Sequence, residues 1–309
     1  MHIPDGFLAT PVWASLDILA LPCVGFLARR AQRETEETKL PLLGVMGAFV
    51  FAAQMINFPV GPGTSGHLVG GALLAATLGP APAAIVMTAI LALQALVFQD
   101  GGILSLGANV FNMAIAGVLA GYFPYRMLAG SSGASRGSRN LALFLGGFLS
   151  VLVSACLALI QLLLSGVAMP GGVLGLSLGL FVVSAALEGA ITVAVVNAID
   201  RLNPTWIKAP VRQPRRAFAW IGMTAMLLVV GGVLVASAAP DGIQSLANQT
   251  GIASQTQALL AAPLAEYQVR GLNSEWLRKA AAGLCGLILV YVSCIGLERL
   301  LRRRTAPGA

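Results

Sequence analysis

Apolar residues run along this chain in stretches of about twenty, separated by short polar loops. Stretches of near-spanning length cover 11–28, 40–58, 82–98, 104–123, 141–165, 173–199, 217–237 and 279–298. A helix of roughly 20 apolar residues crosses the hydrocarbon core of a bilayer. A shorter Gly/Ala-rich piece, 67–78, precedes Pro80. It is too short for an ordinary span, but a short helix enclosed by protein is tolerated at membrane depth. The pattern predicts an all-α, polytopic membrane helix bundle with eight crossings, or nine if 67–78 crosses.

Charge chooses between the two counts. With the amino terminus outside and 67–78 crossing, the inside loops hold Arg29, Arg30, Arg33 and Lys39, then Arg126, Arg136 and Arg139. Further on they hold Arg201, Lys208, Arg212, Arg215 and Arg216, and the carboxyl end adds Arg299, Arg302, Arg303 and Arg304. Of the 19 basic residues only Arg270, Arg278 and Lys279 are left outside. Without that crossing, the later basic loops would face away from Arg29 and its neighbours. Basic residues collect on the cytoplasmic side, so the expected topology is nine crossings, amino end out and carboxyl end cytoplasmic.

Two segments interrupt the apolar pattern more deeply. Residues 130–139, Gly-Ser-Ser-Gly-Ala-Ser-Arg-Gly-Ser-Arg, form a flexible basic linker. Residues 201–216, with Pro204, Pro210 and Pro214 among basic residues, divide a seven-span core (1–200) from a two-span tail (217–309). Between the last two spans lies an outer loop, 238–277, opening with Pro240-Asp241-Gly242-Ile243. It is polar, rich in Gln and Ser, and long enough to fold over something.

Composition supports the membrane reading. Only 10% of residues are charged, against about 25% in soluble domains, and 36 glycines suit helices that pack closely in lipid. The net charge of +7 would suit nucleic acid, but the basic residues sit in short loops between spans and form no groove-binding patch. No nucleic-acid partner is expected. Residues 1–10 lack the basic start of a cleavable signal peptide. The cysteines, Cys23, Cys156, Cys285 and Cys294, fall in apolar runs without C-x-x-C spacing and read as small buried hydrophobes.

Candidate chemistry gathers at the chain's two histidines. One opens the protein, in Met1-His2-Ile3-Pro4-Asp5-Gly6, and the other ends Pro59-Val60-Gly61-Pro62-Gly63-Thr64-Ser65-Gly66-His67. A free Met1 amine, the His2 amide nitrogen and His2 Nδ1 can close two fused chelate rings in one plane. A nitrogen from His67 would complete a planar N4 set, which suits Ni(II) or Cu(II) better than Zn(II). Such a site strengthens as pH rises, because its ligands must be deprotonated. Methionine is retained before a residue as large as His, and the nine-crossing topology puts both histidines on one face. The plain alternative is a start methionine followed by an arbitrary surface histidine. Asn109 and Asn112, three apart in a helix, could support a metal-bound histidine from behind, as could Ser65.

Other polar groups in the spans are Asp17, Gln54, Asn57, Gln94, Gln161 and Glu188. Two acids are few for a proton relay, and structural hydrogen bonding is the expectation for most of the amides. Gly44, Ala48 and Ala52 make a small-residue stripe for close packing, internal or with a partner. There is no G-x-x-x-x-G-K-[ST], no G-x-S-x-G and no H-E-x-x-H. The chain therefore cannot power ATP-driven uptake alone, and neither an enzyme activity nor a resident cofactor is expected.

The opening Met1–Gly6, then Gln54-Met55-Ile56-Asn57-Phe58-Pro59-Val60 with Gly63-Thr64-Ser65-Gly66-His67-Leu68, then Ser105-Leu106-Gly107-Ala108-Asn109, resemble cobalt/nickel energy-coupling-factor transporters. The match is to their substrate-binding membrane component, over about 1–200. The tail resembles the small two-span accessory subunit, whose outer segment carries a Pro-Asp-Gly motif like Pro240-Asp241-Gly242. Ile243-Gln244 follows here, where that family more often has Leu-Glu. The resemblance implies capture of Ni(II) or Co(II) by Met1, His2 and His67 in the inner membrane of a bacterium. It also implies a transmembrane coupling subunit and cytoplasmic ABC-type ATPases as partners. Two other readings are a stand-alone secondary permease and a metal-binding scaffold that moves nothing.

Overall fold

The computed structural model describes residues 1–34, 40–129, 134–202 and 215–301. Lys39, Lys208, Arg212, Arg302, Arg303 and Arg304 lie outside the described residues, as does most of the 201–216 linker and the start of the 130–139 segment.

The apolar runs form helices: α1 (Thr10–Glu34), α2 (Leu40–Gln54), α3 (Gly71–Leu78), α4 (Pro80–Leu93), α5 (Leu106–Asn109), α6 (Val118–Ala129), α7 (Arg136–Leu164), α8 (Gly171–Leu202), α9 (Arg215–Val235), α10 (Gly242–Thr250) and α11 (Glu275–Leu301). A π-helical turn, Gln94–Phe98, extends α4, and a second, Val110–Gly117, joins α5 to α6. Among the described residues, six helices are long and apolar enough to cross a membrane. They are α1, α4 with its π-helical turn, the α5–α6 rod, α7, α8 and α11; α2 and α9 are shorter apolar helices.

The short piece before Pro80 is helical over eight residues, Gly71–Leu78, about 12 Å of rise. Most of it is buried, and it packs among α4, α6 and α7. Its boundaries follow local chemistry. Gly70 and Gly79 take left-handed φ of 80° and 88°, and Pro80 then starts α4 where its missing N–H costs nothing. Small residues bring the core helices together: a Cβ at Gly147 would stand 2.7 Å from the Gly189 Cα.

The tail packs on the core through α2, which lies against both α9 and α11. The small-residue stripe serves this contact internally. A Cβ on Gly44 would come within 3.1 Å of the Tyr291 ring, and Ala48 and Ala52 are buried. All four cysteines are free thiols, Cys294 buried and Cys285 exposed.

Two departures from the all-α expectation matter for function. The apolar run at 40–58 stays helical only to Gln54, and the Pro/Gly-rich segment after it is an antiparallel hairpin, β1 (Asn57–Gly61) and β2 (Thr64–His67). Pro59, Gly61, Pro62 and Gly63 oppose helix, and Gly63 turns with φ of 68°. The register places His67 opposite Asn57. The loop at 238–277 is also ordered. Asp241 and Gln244 form a reciprocal capping box that starts α10, whose Ile243, Leu246 and Ala247 are buried.

Candidate metal site

The first five residues are held in place almost atom by atom. The Asp5 carboxylate accepts from the amides of Ile103 and Leu104 at 2.8 Å and of Ser105 at 3.1 Å. Asn109 accepts from the Ile3 amide at 2.8 Å and donates to the Ile3 carbonyl at 3.0 Å, and the Gly102 amide donates to that carbonyl at 2.9 Å. This approach requires glycine: a Cβ on Gly102 would stand 2.1 Å from Asp5 Oδ1. The result is a buried Met1-His2-Ile3 strap without regular secondary structure.

The strap brings the amino terminus to the end of the hairpin. The Met1 amine lies 2.8 Å from His67 Nε2, and His67 Nδ1 lies 2.9 Å from the Leu68 carbonyl. With Nδ1–H donated to that carbonyl, the Nε2 lone pair points at the amine. The two histidine rings are nearly parallel, 5° apart in plane, with centroids separated by 5.4 Å. All three residues named from the sequence therefore meet. Their arrangement differs in one respect: His2 Nδ1 lies 3.1 Å from Asp100 Oδ1, and His2 Nε2 is enclosed with no hydrogen-bond partner.

Carboxylates stand on two of the proposed ligands. Asp241 Oδ2, from the tail, accepts from the Met1 ammonium at 2.6 Å and lies 3.9 Å from His67 Nε2. Asp100 is held in turn by the tail's Tyr267, whose hydroxyl donates to Oδ2 at 2.6 Å. Gln94 Nε2 lies 3.2 Å from the same hydroxyl and donates at 2.9 Å to Gln54, which reaches the Val69 carbonyl. Gln99, Glu266 and Tyr267 all take left-handed φ near 57°, so the backbone is strained on both sides of the Tyr267–Asp100 contact.

Electrostatics follow from this crowding. Burial, then the Met1 ammonium and His2, push His67 down from 6.5 to about 4, so its imidazole is neutral at physiological pH. Burial alone would raise Asp100, but His2 and the Tyr267 hydroxyl hold it well below the usual carboxylate range. Asp241 is likewise lowered against its burial by the Met1 ammonium and His67. Burial and then Asp100 raise Tyr267 well above 10.

Other residues singled out from the sequence have structural partners. Ser65 ties the hairpin to the tail, its amide donating to the Pro240 carbonyl at 2.9 Å and its hydroxyl to the Ala239 carbonyl at 2.7 Å. Asn109 supports the strap through Ile3 and not through a histidine ring. Asn112 does not share its face: the π-helical turn beginning at Val110 rotates it towards α7, where it pairs with Gln161 in both directions, at 2.8 and 2.6 Å. Glu188, on α8, accepts from the Val69 and Gly70 amides at 2.8 and 2.7 Å, gripping the chain just behind His67. Asp17 accepts from the Gly107 amide at 2.7 Å.

The arrangement fits a transition-metal cargo in its donors: one amine, two imidazoles and a peptide nitrogen, all within a buried cleft. Among the described residues no cluster of three or more His, Cys, Asp or Glu could hold a metal ion by itself. Sequence reading missed Asp100 and Tyr267. Asp100 carried only a turn signal in Gln99-Asp100-Gly101-Gly102, and Tyr267 carried none.

Comparison with known proteins matches both parts of the chain. Residues 2–206 match the family described as cobalt uptake substrate-specific transmembrane region, and residues 215–303 match the PDGLE domain. A fused nickel transport protein of Rhodobacter capsulatus is 27% identical over 346 residues, covering 99% of both chains. A protein of Archaeoglobus fulgidus with the provisional name of fused nickel transport protein is 33% identical, over 98% of this chain and 99% of its own. A cobalt transport protein of Acetoanaerobium sticklandii is 35% identical over 64% of this chain and 84% of its own. Among solved structures, a truncated transition metal transporter superposes with a TM-score of 0.56 and 30% identity, covering 65% of this chain and 99% of its own.

Proposed function

The chain belongs to the cobalt uptake substrate-specific transmembrane family, with a PDGLE domain fused behind it, and on that footing we propose that it captures Ni(II) or Co(II) for import. It is a multi-pass membrane protein, and the proposed ligands are the Met1 amine, the amide and imidazole of His2, and His67. The observation that carries this reading is the 2.8 Å approach of the Met1 amine to His67 Nε2. Nitrogens at right angles around an ion with bonds of about 2.0 Å are separated by about 2.8 Å. The neutral His67 ring needs no proton removed before it binds. The planar nitrogen set leans towards Ni(II).

The chain carries no nucleotide-binding motif, so ATP-driven transport would take partners: a transmembrane coupling subunit and cytoplasmic ABC-type ATPases. The nine-crossing topology, amino end outside a bacterial inner membrane, belongs to the same proposal. It places the strap and hairpin at the face from which the ion arrives. A secondary permease would move Ni(II) in vesicles holding this chain alone without ATP. A scaffold would bind metal and move none in the assembled complex.

The decisive experiment compares purified protein with a free amino terminus against protein carrying one extra amino-terminal residue, by isothermal titration with Ni(II) and Co(II). Loss of tight binding on extension is expected, and His67→Ala should lose it too. Equal binding by the extended protein would remove the amine from the ligand set and the chelate with it.

A further inference from the structure

Asp241 reaches the proposed ligands from the fused domain, and the three atoms that meet there have the proportions of a coordination square. The Met1 amine is 2.8 Å from His67 Nε2 and 2.6 Å from Asp241 Oδ2, and those two partners are 3.9 Å apart. Around an ion with bonds of about 2.0 Å, neighbouring donors are separated by about 2.8 Å and opposite donors by about 4.0 Å. The amine therefore stands at a near right angle between His67 and Asp241, which lie across a diagonal. The midpoint of that diagonal is about 2 Å from all three atoms, the length of a bond from a first-row divalent ion to nitrogen or oxygen.

We propose that Asp241 is the entry ligand of the transported ion, a carboxylate oxygen that binds it opposite His67 before the His2 amide does. This rests on the metal-capture reading above. An ammonium that donates to both acceptors accounts for the two short contacts; the same three atoms also surround a point about 2 Å from each, where an ion can stand in the place of the ammonium proton. The carboxylate is also held in place before any ion arrives. Asp241 Oδ1 accepts from the Gln244 amide at 2.8 Å, capping α10 and leaving Oδ2 to face the ligands. The bridge between Ser65 and the Pro240–Asp241 backbone locks the residue in register with the hairpin that carries His67. One oxygen anchors the side chain and the other is presented to the pocket.

The chemistry of loading follows. A hydrated dication exchanges water readily for a carboxylate oxygen, which carries negative charge without having to lose a proton. A peptide amide binds only once its N–H proton has left, and the Met1 ammonium must also release one. Asp241 begins as the counter-charge of the ammonium. When the ion takes the place of the ammonium proton, the same oxygen becomes its ligand, and both protons pass to water as amine and amide bind in turn. In the planar all-nitrogen set the amide stands opposite His67, the position Asp241 Oδ2 holds here, so amide binding displaces the carboxylate. The final site is then nitrogen-only, and Asp241 governs how fast it forms.

Stopped-flow mixing of purified full-length protein with Co(II) or Ni(II) tests this, read by visible absorption. Asp241→Asn keeps a good helix cap but removes the anionic oxygen. We expect the unaltered protein to pass through an early weak-field spectrum, and the variant to load tenfold or more slowly, without that early spectrum, to the same final spectrum. Asp241→Ser, also a capping residue, should behave alike and stands in if the first variant does not fold. Loading at the unaltered rate would overturn the proposal. So would slower loading with the early spectrum intact, which would make Asp241 a purely structural residue. His67→Ala separates the two levels of argument: if it forms the normal final complex, the capture site itself is wrong, whatever Asp241 does.

Discussion

A buried imidazole next to an ammonium group stays neutral, and that is the state His67 needs in order to bind a metal. Burial, then the Met1 ammonium and His2, lower it from 6.5 to about 4. The unfolded chain takes up this proton near 6.5 and the folded chain only near 4, so acid favours the unfolded state. Stability should therefore fall as pH drops from 6.5 towards 4, with no such loss above 6.5. Thermal midpoints measured across that range would show the slope, and His67→Gln should flatten it. That Met1, His2 and His67 come together was legible in the sequence, because a chain with two histidines, one beside its terminal amine, offers few other ways to gather nitrogens. Asp100 and Tyr267 were not legible. They are 167 positions apart, and a single acid in a glycine turn or a tyrosine in a polar loop sets up no spacing that a sequence pattern can show.

At the level of elements, the apolar runs predicted the helices closely, since twenty apolar residues have few alternatives in lipid. The hairpin and the two π-helical turns escaped. Pro and Gly between 59 and 63 announce a break in the helix, but not the pairing of β1 with β2, nor the bond from Ser65 to the Pro240 carbonyl at the far end of the chain. A π-helical turn adds one residue to a helical turn without changing composition, so Asn112 kept its apparent spacing from Asn109 and lost its face. Glu188 shows how one element steadies another. Glu188→Ala would leave the buried amides of Val69 and Gly70 without partners, at about 1–3 kcal/mol each. Ni(II) affinity measured by titration should fall with the thermal midpoint, and Glu188→Gln, which keeps an acceptor oxygen, should recover part of both. Gly102→Ala should lose binding with little change in the helices by circular dichroism, because its Cβ collides with Asp5 in the strap.

Over the whole molecule, the tail does more than add two apolar helices. It packs on α2, caps the amine with Asp241 and holds Asp100 through Tyr267. Tyr267→Phe should keep the ring against Phe98, 4.7 Å between centroids, while losing the hydroxyl that restrains Asp100. Metal affinity by titration should then change by about tenfold, the scale of one hydrogen bond to a charged group, with the helices and the oligomeric state unaltered. The contact between the Met1 ammonium and Asp241 spans 240 positions of sequence. Ribosomes add roughly 5–20 residues per second, so the amino terminus waits on the order of 10–50 s for its partner to be made. Throughout that interval the strap can dock on residues 102–109, but the Met1 amine and Asp100 still lack their partners from the tail. The contacts that the tail makes over the amino terminus are thus among the last in the protein to form, and their presence marks a chain whose synthesis has passed residue 267.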